Sequence, residues 1–311
     1  MNLTESYNQV KKSIVAFLPK YQPLYKKDDK PHEFPPIIGT GFIVNENGLI
    51  LTNDHVLKVF NKLWHPPDAA PDDWGVYVMI LHMLSEGQVE IPLEVTGVFE
   101  ITQFTPGKAY YGPHKPDLAI VHVKARGLPS LEIDDSPIQE GIEVATAGFP
   151  MGTDALRAPG WLHQITPTLQ CGIVSAVLPF ACNTPHAFSI NVMTQGGASG
   201  SPVFYPNTGK VAGVLYGGLF DLGFTNKKDV YKVPTNISYV VPSHYIKRIL
   251  STALKEPAFS EPCDGLSIEE MIATKTLHNV IEEGRQPEII NLKTDTDSEI
   301  SITKFIRQDK H

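Results

Sequence analysis

Three side chains in this 311-residue sequence could together make an alcohol reactive toward a carbonyl: Ser199, His55 and Asp117. Ser199 lies in Gln195-Gly196-Gly197-Ala198-Ser199-Gly200-Ser201-Pro202, a glycine-rich turn before an apolar run. Such a turn exposes the hydroxyl and aims successive backbone N–H groups into one small space, where they can hold the negative oxygen formed when a carbonyl is attacked. A serine hydroxyl is a weak nucleophile alone. It needs a base, and the base needs an orienter. His55 follows the predicted strand that ends at Leu51-Thr52, and Asp117 precedes the apolar run Leu118–Val123. A carboxylate flanked in this way suits a mostly buried partner for a histidine. The order His, Asp, Ser is one of three in which such triads occur along a chain. Each residue alone has an ordinary reading, as turn serine, core histidine or capping aspartate. Only the set points to acyl transfer.

The elements that must position these groups read as short strands. Residues 37–57 give two β-branched runs joined by Asn45-Glu46-Asn47-Gly48, a hairpin signal because Asn and Gly tolerate positive φ. Strands are predicted in 76–84, 91–101 and 118–123, and again in 142–150, 168–178, 187–193, 201–205, 210–218 and 235–242. The 24 glycines and 26 prolines spread along the chain favour this turn-rich architecture. Helical periodicity first emerges at Ser243–Leu250, with Ser243 as N-cap. Two runs of short strands followed by one helix predict an all-β domain of two packed barrels. Residues 1–36 are expected to lie over its surface as an arm, 37–254 to form the domain, and 255–311 to be a tail. In that tail Ser267-Ile268-Glu269-Glu270 is a capping-box pattern and Gly284 a stop, which predicts one helix over 268–283. A polar, partly disordered stretch is expected from Arg285 to His311.

Composition narrows the function classes. The chain carries 26 basic and 34 acidic residues, a net charge of −8, with no Lys/Arg block interleaved with aromatics, so nucleic acid is not an expected partner. Neither HExxH nor CxxC occurs and the remaining histidines are scattered, so no metal or cofactor is expected. The three cysteines, Cys171, Cys182 and Cys263, do not make a disulfide framework. Without an apolar leader or a span long enough for a bilayer, no membrane partner is expected and the expected location is the cytoplasm.

Six segments in order resemble the trypsin-like peptidases, closest to the HtrA/Deg branch, over about residues 35–250. They are GTGFIVNENGLILTNDHV, DLAIVHV, GIEVATAGFPMG, LQCGIVSAV, GGASGSPVF and NISYVVPSHYIKRIL. The resemblance implies twin six-stranded barrels with the site in the cleft between them. Carried over by position, it makes His55 the base, Asp117 its orienter and Ser199 the nucleophile of a serine endopeptidase. It makes the N–H groups of Gly197 and Ser199 the oxyanion hole. It sets Met193 at the base of the primary pocket, beside Thr194, with Leu215 on a wall and Tyr216, Gly217 and Gly218 toward the rim. None of these is charged, so an apolar residue is expected before the scissile bond of a protein or peptide substrate.

Departures from the family pattern limit what carries over. Ala198 stands where zymogen relatives have an aspartate, so an ion pair with a freed N-terminal amine has no anchor, and Ser201 replaces a usual glycine. No PDZ domain is evident, and homo-oligomers are what such relatives commonly form. A catalytically silent binding module with a collapsed oxyanion hole, or an esterase, are the alternatives the residues leave open.

Overall fold

The predicted strands pair into two closed antiparallel barrels of six strands each. The computed structural model describes residues 1–21, 37–84, 87–101, 115–134, 136–150, 166–224, 230–255, 264–273, 285–293 and 299–307. In chain order the first part comprises α1 (Leu3–Val10), β1 (Ile14–Pro19), β2 (Gly39–Asn45), β3 (Leu49–Thr52), α2 (Asp54–Phe60), β4 (Val76–Leu84), β5 (Gly87–Glu100), β6 (Ala119–Val123) and β7 (Ala125–Arg126). The first barrel closes in the order β1-β2-β3-β6-β5-β4. The second is built from β8 (Glu143–Gly148), β9 (Thr168–Leu178), β10 (Ala187–Ile190), β11 (Pro202–Phe204), β12 (Val211–Phe224) and β13 (Val230–Pro242), closing as β10-β13-β12-β11-β8-β9. Then come α3 (Ser243–Ala253), β14 (Leu266–Ser267), α4 (Ile268–Ala273), β15 (Arg285–Lys293) and β16 (Glu299–Arg307).

Alternation sorts the strands' side chains into three cores. Val15, Phe17, Ile43, Ile50, Val78 and Val121 fill the first barrel, and Val144, Val174, Phe188, Val203 and Val240 the second. Between the barrels lie Ile14, Ala16, Phe42, Leu51, Ile120, Phe149, Phe204 and Val214, with Ile246 and Ile249 of α3. Both faces of β1 are therefore buried, one inside its barrel and one against the neighbour.

That burial corrects the expected arm at 1–36. Ile14-Val15-Ala16-Phe17-Leu18 is a barrel strand, registered with β2 through Val15↔Gly41 and with β4 through Ala16↔Met79. A strand covered on both faces shows no period of two, so its sequence reads only as an apolar patch. Ahead of it α1 is closed by a capping box: the Asn2 side chain accepts from the Glu5 N–H at 3.0 Å, and Glu5 accepts from the Asn2 N–H at 3.0 Å.

The first part of the tail, residues 264–273, also joins the first barrel. The capping box is formed by Ser267 and Glu270, at 2.8 and 3.2 Å. The helix it opens spans Ile268–Ala273, the rest of the expected helix lying outside the described residues. Leu266 and Ser267 pair in parallel with Ala125 and Arg126 of β7. Where a partly disordered stretch was expected, β15 and β16 form an antiparallel ladder with Ile290↔Ile302 and Leu292↔Ile300 in register. The alternation of Ile300-Ser301-Ile302-Thr303 is the signal for it.

Candidate active site

The register of β3 with β6, Thr52↔Ala119, makes the residues after Thr52 face those before Ala119. His55 and Asp117 meet for this reason, 62 positions apart. The chain turns into α2 immediately after β3, and His55 is the second residue of that helix. Asp117 binds it twice: one carboxylate oxygen accepts the His55 backbone N–H at 3.0 Å and the other holds ring Nδ1 at 2.6 Å. An anion at the first turn of a helix is favoured by its unpaired N–H groups. The same contact fixes the proton on Nδ1 and leaves Nε2 as the acceptor. The imidazole stays 45% exposed and Asp117 27%, so the ring is anchored on one edge and open on the other.

Two neighbours that sequence reading did not single out complete this side. Asn53, fully buried, donates from Nδ2 to the Asp117 carbonyl at 2.8 Å. Asp54, the carboxylate adjacent to His55 in sequence, turns away and is held by Lys58 Nζ at 2.5 Å and Lys115 Nζ at 3.2 Å. Asp54 also pushes the Lys58 ammonium pKa up, by hydrogen bond and by charge. Lys115 in turn donates to the Ile101 carbonyl at 2.9 Å. Nothing in their spacing marks these residues, since Asn and Lys beside an aspartate are ordinary surface companions.

Ser199 sits on the second barrel, inside the second of two tight turns that share Ala198. The Ala198 N–H donates to the Gln195 carbonyl at 3.1 Å, with Gly197 at φ +91°; the Ser201 N–H donates to the Ala198 carbonyl at 3.1 Å, with Gly200 at φ +89°. A positive φ at the third residue is the type II signature, which only glycine adopts easily. Turning over the Gly196–Gly197 peptide would convert the first turn to type I and reverse the Gly197 N–H. Among the described residues no acceptor is bonded to the N–H of Gly197 or of Ser199. The Ser201 hydroxyl donates to the Ala198 carbonyl at 2.6 Å, so the serine that replaces a glycine here closes the second turn.

The turn is seated directly on the first barrel. A Cβ on Gly200 would lie 1.9 Å from the Thr40 carbonyl oxygen and 2.4 Å from Thr52 Oγ1. Thr52 is three residues before His55, so nucleophile and base stand on the two sides of one packed seam. Among the described residues no hydrogen bond joins the His55 ring to the Ser199 hydroxyl; catalytic bonds of this kind often tighten only with substrate bound.

The expected pocket residues are brought together in part. Thr194 and Leu215 are buried, Thr194 Oγ1 lies 2.8 Å from Ser238 Oγ, and Tyr216 stacks on Tyr239 at 6.1 Å. A Cβ on Gly218 would come within 2.8 Å of Thr194 Oγ1, whereas one on Gly217 would meet open space. Met193, expected at the base, is instead 38% exposed, its sulfur 3.9 Å from Gln195 Nε2. Residues 192–195 form no strand, and the chain turning out there leaves Met193 outside the wall. A small recess is lined by Thr146, Gly148, Gln170, Thr194, Ala198 and Ser201, none of them charged. Among the described residues no group of three or more His, Cys, Asp or Glu could hold a metal ion. Cys171 lies exposed on β9, and partial desolvation together with the charge of Glu143 raises its pKa.

Twin barrels with a His–Asp pair on one and a glycine-framed serine on the other are the architecture of the chymotrypsin-like hydrolases. A family model for the trypsin-like peptidase domain matches residues 39–214, more than half of the sequence, and the chain belongs to that family. Its relatives include a periplasmic DegP-like serine endoprotease of Halomonas elongata, 29% identical over 203 residues, or 62% of this chain and 33% of that protein. Another, from Pseudomonas putida, is 28% identical over 67% of this chain and 36% of its own length. A third, from Chlamydia trachomatis, is 23% identical over 79% of this chain and 40% of its own length. The chain thus spans between a third and two fifths of the curated relatives it matches. Similar solved structures include the HtrA-type protease AlgW with a tripeptide, with TM-score 0.48, 12% identity and coverage of 96% of this chain and 70% of that one. The Rv3671c protease of M. tuberculosis in an inactive form has TM-score 0.47 and 17% identity, over 80% and 92% of the two chains. The expected cytoplasmic location is overturned: all three relatives are named periplasmic. The lack of an apolar leader in a sequence carries no address.

Proposed function

We propose that the chain is a serine endopeptidase that works through an acyl-enzyme on Ser199. The observation that carries the reading is the two-point hold of Asp117 on His55, which presets the tautomer a general base needs. His55 Nε2 takes the Ser199 Oγ proton as Oγ attacks the substrate carbonyl carbon. The oxygen of the tetrahedral intermediate is received by the N–H groups of Gly197 and Ser199, which the two type II turns leave without acceptors among the described residues. The imidazolium then gives its proton to the leaving amine, and a water activated by the same nitrogen hydrolyses the ester. The type II geometry speaks against a silent, collapsed site. The endoprotease names of the relatives support peptide over ester substrates, and uncharged Thr194, Leu215 and Gly218 support an apolar residue before the scissile bond.

The test is labelling by a fluorophosphonate, wild type against Ser199→Ala, followed by digestion of casein and a peptide library. Labelling of the wild type alone, with cleavage after apolar residues, is expected. An unlabelled wild type would sink the reading, and cleavage dominated by Arg, Lys or Glu would sink the specificity.

A further inference from the structure

Base and orienter stand on one barrel and the nucleophile on the other, so the catalytic geometry depends on whatever fixes the two together. One fully buried residue of β2, Thr40, makes four hydrogen bonds at that seam. Its N–H donates to the Ser199 carbonyl at 2.9 Å and its Oγ1 to the Gly197 carbonyl at 2.7 Å. Oγ1 also accepts the Phe149 N–H at 3.1 Å, and the Thr40 carbonyl accepts the Thr52 hydroxyl at 2.8 Å.

The pattern is directional. The Gly197 and Ser199 carbonyls belong to the peptides on either side of Ala198–Ser199. Holding both fixes the peptide between them, and with it the direction of the Ser199 N–H and the Cα–Cβ bond that carries the nucleophile. The same residue's carbonyl is tied to Thr52, three positions before His55. Thr40 therefore links, through its side chain and the two peptide groups that flank it, the second oxyanion donor to the strand that delivers the base. The hydroxyl has one proton and spends it on Gly197, while a lone pair receives Phe149, so a methyl group could fill its volume and none of its bonds.

We infer that Thr40 is a positioning residue for the nucleophile and the oxyanion donors, acting through Gly197 and Ser199 without touching substrate. This rests on the endopeptidase reading. The competing account is that the hydroxyl merely satisfies buried backbone groups, in which case its loss lowers stability and leaves the surviving active sites normal.

Thr40→Val and Thr40→Ser, each counted by fluorophosphonate titration of active sites, separate the two. Displacing a preorganised donor by a fraction of an ångström is expected to lower kcat per active site by about 10- to 100-fold in Thr40→Val. KM should stay within about threefold, since substrate binding is not what the bond supports. Thr40→Ser should restore kcat. A peptide boronate, which forms a tetrahedral adduct on the serine, should lose affinity for Thr40→Val in step with kcat. A non-cleavable product peptide should not. If Thr40→Val does not fold, Thr40→Cys takes its place with the same expected direction, because a thiol is a weak donor. A variant with lowered melting temperature but wild-type kcat per titrated site overturns the inference and leaves the peptidase reading intact. A wild type that the phosphonate does not label overturns both.

Discussion

Asp117 does two things with one carboxylate, and the two can be separated by substitution. Asp117→Asn keeps an oxygen for the His55 backbone N–H but turns an amide nitrogen, a donor, toward ring Nδ1. Two donors cannot share that contact, so the ring is expected to shift its proton to Nε2 and lose its role as base. A fall in kcat of about 10³- to 10⁴-fold with little change in KM is expected from steady-state kinetics on a cleaved library peptide. A loss under tenfold would show that Asp117 is not the orienter. The pairing was proposed from the order of the motifs and the family resemblance, while its cause, the register of β3 beside β6, shows only in the fold. The adjacent Asp54 was the nearer carboxylate along the chain. It is not the partner because Lys58 and Lys115 already hold it on the far side of the helix start. Thr40 and Asn53 were not legible at all. A threonine or asparagine in or beside a strand is ordinary, and only the register shows which backbone groups it meets.

At the scale of elements, apolar runs set off by turn residues could be read as strands even where both faces are covered, as in β3, β6 and β10. β1 is the clearest loss; β12 and β13, expected to end near Gly218 and to begin near Thr235, run on as a paired ribbon to Phe224 and from Val230, where Leu219, Phe220 and Leu222 are exposed and no core face marks the strand. α2 was hidden because it is only seven residues long and begins where β3 stops. The helix that was foreseen, α3, carries a titratable consequence. His244 lies near its start with its ring 4.1 Å from that of Tyr245, and burial pulls its pKa down to about 4. His122 on β6 and His186 before β10 are lowered for the same reason. A histidine whose folded pKa lies below its unfolded value of about 6.5 binds more protons when unfolded, so stability is present above pH 6.5 and declines as the pH falls toward 4. After a discount for the exposed part of the ring, His244 should contribute about 1 to 2 kcal/mol of this decline. Urea denaturation of wild type and His244→Gln between pH 7 and 4.5 checks it: the variant should show the shallower dependence. Parallel curves would mean the ring is solvated in the folded state.

At the scale of the whole molecule, the barrels are joined by more than their shared core. The chain leaves the second barrel through α3, which packs on β12 and β13, and returns to the first at residues 264–273. There Gly265 lies so close to the Lys124 carbonyl that a Cβ would come within 2.4 Å of it. β14 pairs with β7, and Ile268 and Met271 are buried at 4% and 6% in the first barrel's cluster. Arg126 meets Glu270 at 2.5 Å and Lys124 meets Asp264 at 3.0 Å, both pairs exposed and of small weight beside the apolar contact. The strap pairs just beyond the C-terminal end of β6, whose opposite end carries Asp117, so it should stabilise the domain without shaping the site. Ile268→Asp buries an unpaired carboxylate among Val and Leu side chains and is expected to lower stability by about 3 kcal/mol or more. Its melting temperature should fall by several degrees while phosphonate labelling at 20 °C proceeds at the wild-type rate. An unchanged melting temperature would mean that the strap does not hold the barrel. A melting temperature lowered together with a slowed labelling rate would mean that the geometry of the cleft depends on the strap, and that the seam around Thr40 does not fix it alone.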